Sequence, residues 1–209
     1  MNIKQTVFEG YNGCYELTIG NQKMVVASGF GPRILYYGTE KTGNIMYVEN
    51  KPVKKVKGFR NYGGHRFWLS PETKFTSKAD NNPCQAVIKD GCLTVTATDR
   101  DLHLEKSLVI SEKNSRFHVD HVLMNTGKMV YSAGLWGLSC VRADSGTIFF
   151  PWASPGKWQL CKIIYWQKWS KQKTNIKSRQ YVQTPDLFLV KPNGRVGKVG
   201  GAGYEGFIG

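Results

Sequence analysis

Apolar and polar residues alternate in short runs along most of the chain. YELTI (15–19) and LTVTAT (93–98) alternate with a period of two, the spacing that sends successive side chains to opposite faces of a strand. SLVIS (107–111), RFHVDHVLM (116–124) and GTIFF (146–150) are rich in β-branched and aromatic residues and read as further strands. Turn signals separate these runs: GYNG, GFGP, DNNP, KDG, NTG, DSG and PNG. The spacing is that of antiparallel hairpins and meanders. No segment has the apolar stripe and caps of an amphipathic helix; the best candidate, KWQLCKIIYWQKW (157–169), is apolar nearly all round and fits a strand equally well. The pattern predicts an all-β fold, a sandwich or a large curved sheet, in a single domain over 1–209 with no linker or internal repeat.

Composition adds core material and charge to this picture. The 209 residues are 41% hydrophobic and 12% aromatic, ample for a sizeable core. Against 15 acids stand 29 lysines and arginines, a formal charge of +14 that would attract an anionic partner. Much of the excess lies in KPVKKVK (51–57) and KWSKQKTNIKSR (168–179), which read as exposed loops. The five cysteines, Cys14, Cys84, Cys92, Cys140 and Cys161, form an odd set with no CxxC pair, which speaks against a disulfide framework and a zinc ribbon. Reduced thiols in the cytoplasm are expected. The start, MNIKQTVFEG, has no signal-peptide apolar stretch, and no run of about 18 apolar residues suggests a membrane span.

The chemistry-bearing residues gather in three segments. In RFHVDHVLMNTG (116–127), period two places Phe117, Val119, His121, Leu123 and Asn125 on one face and His118, Asp120, Val122 and Met124 on the other. His121 and Asn125 share a direction; His118 and His121 diverge, which is wrong for a metal-binding pair. DLHLE (101–105) reads as a strand with Asp101, His103 and Glu105 on its wet side. In NYGGHRFWLSPE (61–72), Gly63 and Gly64 allow a sharp bend that presents His65 and Arg66. Arg66 offers a planar fork of donors, Phe67 and Trp68 flat apolar faces that stack on sugar rings, and Glu72 an acceptor for hydroxyls. The glycines of SGFGPRI are turn residues, and no nucleotide loop, nucleophile elbow or catalytic cysteine signature is present, so no cofactor is expected.

The order GFGPRILYYG, NYGGHRFWLSPE, DNNP, VDHVLMNTG, LWGLSCVRADSGTIFFP resembles the galactose mutarotase-like superfamily, that of the aldose 1-epimerases, and most closely a branch with a GGHRLW-like box. The resemblance runs from about residue 8 to the end and is strong only in these boxes. It implies an antiparallel β-supersandwich with a sugar held in the groove of one sheet. His121 and Asn125 keep the spacing of the family's NHxYFN strand, with Asp120, Leu123 and Met124 at its other positions, so the resemblance makes His121 the acid and Asn125 a sugar ligand. His65, Arg66, Trp68 and Glu72 are the other expected substrate contacts, Arg66 rather than the Arg33 of GPRILYYG being the binding arginine. The family's base is a glutamate on a late strand. Glu205, the last acid here, sits in GYEGFIG, which lacks that motif and reads as a strand entrance where the chain breaks off within the fold.

Three functions follow in order. The first is a carbohydrate-binding mutarotase-like protein, an isomerase that opens a sugar ring at its anomeric carbon if a base is present. The second is a carbohydrate-binding or sensing module without catalysis. The third, a nucleic-acid-binding β protein driven by the +14 charge, ranks behind a small sugar, neutral or anionic, as partner.

Overall fold

The computed structural model describes residues 1–49, 62–73, 81–152, 163–169, 172–201 and 206–208. Every regular element among them is a β-strand, all pairings are antiparallel, and no helix long and apolar enough to cross a membrane occurs. The chain forms two compact units, 1–140 and 141–209.

The first unit contains ten strands: β1 (Asn2–Phe8), β2 (Tyr11–Ile19), β3 (Gln22–Ala27), β4 (Arg33–Thr39), β5 (His65–Ser70), β6 (Gln85–Lys89), β7 (Cys92–Asp99), β8 (Leu104–Lys113), β9 (Arg116–Asn125) and β10 (Gly134–Ser139). They build a six-stranded sheet of order β1-β2-β3-β4-β5-β10 and a four-stranded meander of order β6-β7-β8-β9. The hairpins turn tightly because their central residues adopt positive φ: Glu9 and Gly10, Asp90 and Gly91, Asn114 and Ser115. Two such residues in a row make the turn whose twist matches that of the strands it joins.

The alternation explains why two sheets pack. Leu93 and Val95 on β7 and Leu108 and Ile110 on β8 have no exposed surface, and they meet Leu17, Met24, Val26, Ile34 and Phe67 of the larger sheet in one core. The opposite face of the larger sheet is also covered, by Phe30, Val48, Met46 and Tyr62 over Val25, Ala27 and Leu35. Strands buried on both sides read as continuous apolar runs. KMVVA on β3 is one, whereas the meander, covered on one side, alternates.

The second unit contains β11 (Thr147–Pro151), β12 (Ile163–Tyr165), β13 (Lys168–Trp169), β14 (Gln172–Lys173), β15 (Tyr181–Gln183), β16 (Leu187–Val190), β17 (Val199–Gly201) and β18 (Gly206–Ile208). These strands form a sheet of order β15-β16-β11-β18 and the pairs β12-β17 and β13-β14; Phe150, Phe188 and Val190 make the core, with Trp152, Ile163, Tyr165, Tyr181 and Val199 packed against them.

Two sequence expectations change. The described part of KWQLCKIIYWQKW holds two short strands, β12 and β13, with Trp166 and a bend at Gln167 between them, while 157–162 lies outside the described residues. DLHLE is not one strand: residues 100–103 turn between β7 and β8, with His103 at φ 51, and only Leu104 and Glu105 enter β8. The polar-apolar alternation there arose from a turn followed by a strand. Cys14, Cys84, Cys92 and Cys140 are free thiols, and Cys161 lies outside the described residues.

Candidate functional site

The entrance to β5 is fixed by backbone. Gly63 and Gly64 lie at φ 77 and 67, and a Cβ at either would come within 2.1 Å of the Tyr47 carbonyl oxygen or 2.2 Å of that of Ile34. Only glycine fits this close approach. The Gly64 amide donates to Tyr47 O (2.7 Å), the Cys140 amide donates to Gly64 O (2.9 Å), and the buried Arg33 guanidinium donates through Nη1 to Gly63 O (2.6 Å). His65 therefore starts its strand in a set position, beside Ile34 on β4 and Ser139 on β10.

His121 reaches the same place from the other sheet. In the β8–β9 register it stands opposite Leu108, while Val119 opposes Ile110 and Leu123 opposes Lys106. Cross-strand partners point the same way, so the burial of Leu108 and Ile110 carries His121 to the inter-sheet face. There its Nε2 lies 2.7 Å from Nε2 of His65, and the rings meet nearly perpendicular, at 78°. Phe67, on the same pleat of β5, stands edge-on to His121 at 5.1 Å. On the far side of His65, Nδ1 lies 2.8 Å from Ser139 Oγ.

Electrostatics keep this pair neutral. Burial first, then the neighbouring His121 and the Arg33 charge, push the His65 pKa down to about 4. Burial also lowers that of His121, against the opposing pull of Asp120 and a backbone hydrogen bond at Val119. At pH 7 one Nε2–H is therefore donated to the other ring's lone pair. If His65 donates it, its Nδ1 accepts from the Ser139 hydroxyl; if His65 accepts it, its Nδ1–H donates to that hydroxyl. A serine oxygen serves both tautomers, so the row Ser139–His65–His121 holds one proton between two rings and can exchange it with a ligand that displaces their mutual bond.

The other expected site residues are placed as follows. Arg66 and Trp68 alternate with His65 and Phe67 along β5, which assigns them to the opposite pleat, and both are buried, at 8% and 3% exposure. Glu72 is exposed two residues beyond the end of β5. Asn125 shares the pleat of His121, but both ends of its amide close the following turn: Nδ2 donates to Met129 O (2.5 Å) and Oδ1 accepts from the Gly127 amide (3.0 Å). Asp120, the acid beside His121 in sequence, is on the solvent pleat, 3.1 Å from His118. Glu205 lies outside the described residues.

Two nearby groups went unread in the sequence. Ser139 is one; its contact with His65 spans 74 residues, and a lone serine in GLSC carries no signal. The other is Lys106, 4% exposed on the inward face of β8, whose Nζ donates to Phe67 O (3.4 Å) and lies 4.6 Å from the Trp68 ring centre. Its signal was present: in LEKSLVI it occupies the period-two series of Leu104, Leu108 and Ile110. Among the described residues, no group of three histidine, cysteine or acidic side chains is placed to hold a metal ion. Comparison with protein families, curated proteins and solved structures finds no match to the chain.

Proposed function

We propose that the chain is a carbohydrate-binding protein of mutarotase-like type, with the sugar held at the inward-facing pair of His65 and His121. The observation that carries this reading is the meeting of two neutral imidazoles, 56 residues apart in sequence, at 2.7 Å on the half-buried face between two sheets. Neutral imidazoles both accept from and donate to hydroxyls, and the adjoining Phe67 edge supplies apolar surface.

Ring opening asks for more than binding. A base must take the anomeric hydroxyl proton while an acid protonates the ring oxygen. A histidine whose pKa is depressed rests neutral at pH 7, a weak base with no imidazolium proton ready for the ring oxygen, and the carboxylates near the pair in sequence are turned elsewhere: Asp120 to solvent, Glu72 beyond the strand end. This favours the binding module over the isomerase.

The test pairs calorimetric titration of glucose and galactose with polarimetry of their freshly dissolved α-anomers, for the wild type and His121→Ala. Weak binding that His121→Ala abolishes, with little acceleration of mutarotation, is the expected result. Fast mutarotation lost in His121→Ala would establish the isomerase, since general acid–base groups contribute about 10²- to 10⁴-fold each. No binding of either sugar, or binding indifferent to His121, would overturn the assignment.

A further inference from the structure

The positive charge of the chain is unevenly divided. Residues 141–209 carry 11 lysines and arginines against 3 acids, net +8, whereas the twice longer 1–140 carries 18 against 12, net +6. Between Asp144 and Asp186 no acid occurs, while the same stretch holds seven of the basic residues and four of the chain's six tryptophans. Interleaved cations and aromatic rings without carboxylates make a poor sugar site, because carboxylates are the usual acceptors for sugar hydroxyls. They suit a partner that presents phosphates and flat bases.

The fold of the second unit connects several of the described ones. The β13–β14 register sets Lys168 directly opposite Lys173, an arrangement of like charges that weakens a hairpin. Lys198, 25 residues further on, is joined to the same hairpin through Thr174: the Lys198 amide donates to Thr174 Oγ1 (2.9 Å), and the Thr174 amide donates to Gln167 O (3.2 Å). Its Nζ lies 4.9 Å from the centre of the half-exposed Trp166 ring. Past the hairpin the exposed Lys177 and Arg179 continue the run. One ammonium thus lies over the Trp166 indole, and the strand pair joined to its segment sets two more lysines opposite each other, at a cost to the hairpin that a bound polyanion would relieve.

We propose that this lysine and tryptophan face of the second unit, built from Trp166, Lys168, Lys173 and Lys198 and extended by Lys177 and Arg179, binds single-stranded nucleic acid through its phosphate backbone. Lysines contact phosphates as point charges without a fixed fork, so recognition is independent of base sequence. It is separate from the sugar-binding reading of the first unit, and either can fail alone.

The experiment is fluorescence anisotropy of a labelled 12-nucleotide oligo-dT and a mixed-sequence single strand with the full chain. Both strands bind with similar affinity, and log K falls against log salt with a slope of about −0.7 per phosphate contacted. Lys168→Glu/Lys173→Glu lowers affinity about tenfold or more and reduces that slope by about 1.4. Lys177→Glu/Arg179→Glu, outside the hairpin, acts in the same direction and guards against a folding defect in the first variant. Lys41→Glu/Lys89→Glu, exposed on the first unit, changes little. Equal loss from the Lys41/Lys89 control would show general charge attraction and overturn the assignment. So would failure to bind either strand, or tight binding of a sulfated polysaccharide that the oligonucleotides do not displace.

Discussion

The two faces of β9 carry the same chemistry to different ends. Inward, His121 lies against Phe67 and shares a proton with His65 on the half-buried face beside the buried Leu108 and Ile110. Outward, three residues earlier, His118 lies 3.1 Å from Asp120 Oδ1 and 3.2 Å from Lys113 Nζ, both at its Nε2. One nitrogen cannot donate to the carboxylate and accept from the ammonium at once, so these contacts compete, in water and 40% exposed. The residue type is identical; the pleat decides whether a histidine becomes a neutral partner in a relay or a solvated surface group. The contrast between these faces can be tested at three levels of energy.

The largest effect belongs to the packing that turns His121 inward. Leu108 has no exposed surface and stands opposite His121, so Leu108→Ala should cost about 2–5 kcal/mol in urea unfolding through lost transfer energy and the cavity left behind. Val122→Ala, one step along β9 on the outer face where Val122 is 44% exposed, should change stability by no more than about 0.5 kcal/mol. Similar costs for the two would mean that the faces are not distinguished as described.

Acidification is the second level. The folded pKa of His65 is about 4, below the ordinary 6.5, and that of His121 is lowered too. The unfolded chain therefore takes up protons from about pH 6.5 downward while the folded chain declines them until about pH 4. Their contribution is fully present above pH 6.5 and is lost as pH falls through that window. For His65 the loss is of order 3 kcal/mol at about 1.4 kcal/mol per unit. Carboxylates contribute to the same region, so the diagnostic is the difference: His65→Gln should flatten the stability curve between pH 6.5 and 4. A curve of unchanged slope would show that the pair is not held neutral by the fold.

How much of this was readable follows from what each residue depends on. The inward set on β9, from Phe117 to Asn125, follows from period two because a one-residue slip would bury Asp120 and expose Leu123. The sharp entrance of β5 is likewise written in Gly63 and Gly64, whose positions need positive φ and close backbone approach. The partner of His121 is not local: His65 is brought to it by the packing of two sheets, and only the resemblance placed both residues at one site. Asn125 was chosen by direction alone, and direction does not reveal that its amide is spent on Gly127 and Met129. Arg66 and Trp68 were grouped with His65 as neighbours in sequence, although neighbours in a strand take opposite pleats. The second unit was least legible, because strands of two to five residues are too short to show a period.

The smallest effect is predicted at His118, and it probes the outer face directly. Removing its ring in His118→Ala breaks the contact with Asp120 and frees Lys113 at the same time, so each ion regains water that the histidine had partly displaced. Exposed pairs of this kind contribute roughly 0–1 kcal/mol, and competition at a single nitrogen places this one at the low end. Urea unfolding at pH 7 should find His118→Ala within about 0.5 kcal/mol of the wild type, with sugar titrations unchanged. His121→Ala, on the same strand with the same atoms deleted, should lose more stability than that and lose the sugar response as well. If His118→Ala instead matched His121→Ala in both measurements, the pleat would no longer explain the difference between the two histidines, and the inward placement of the site would have to be given up.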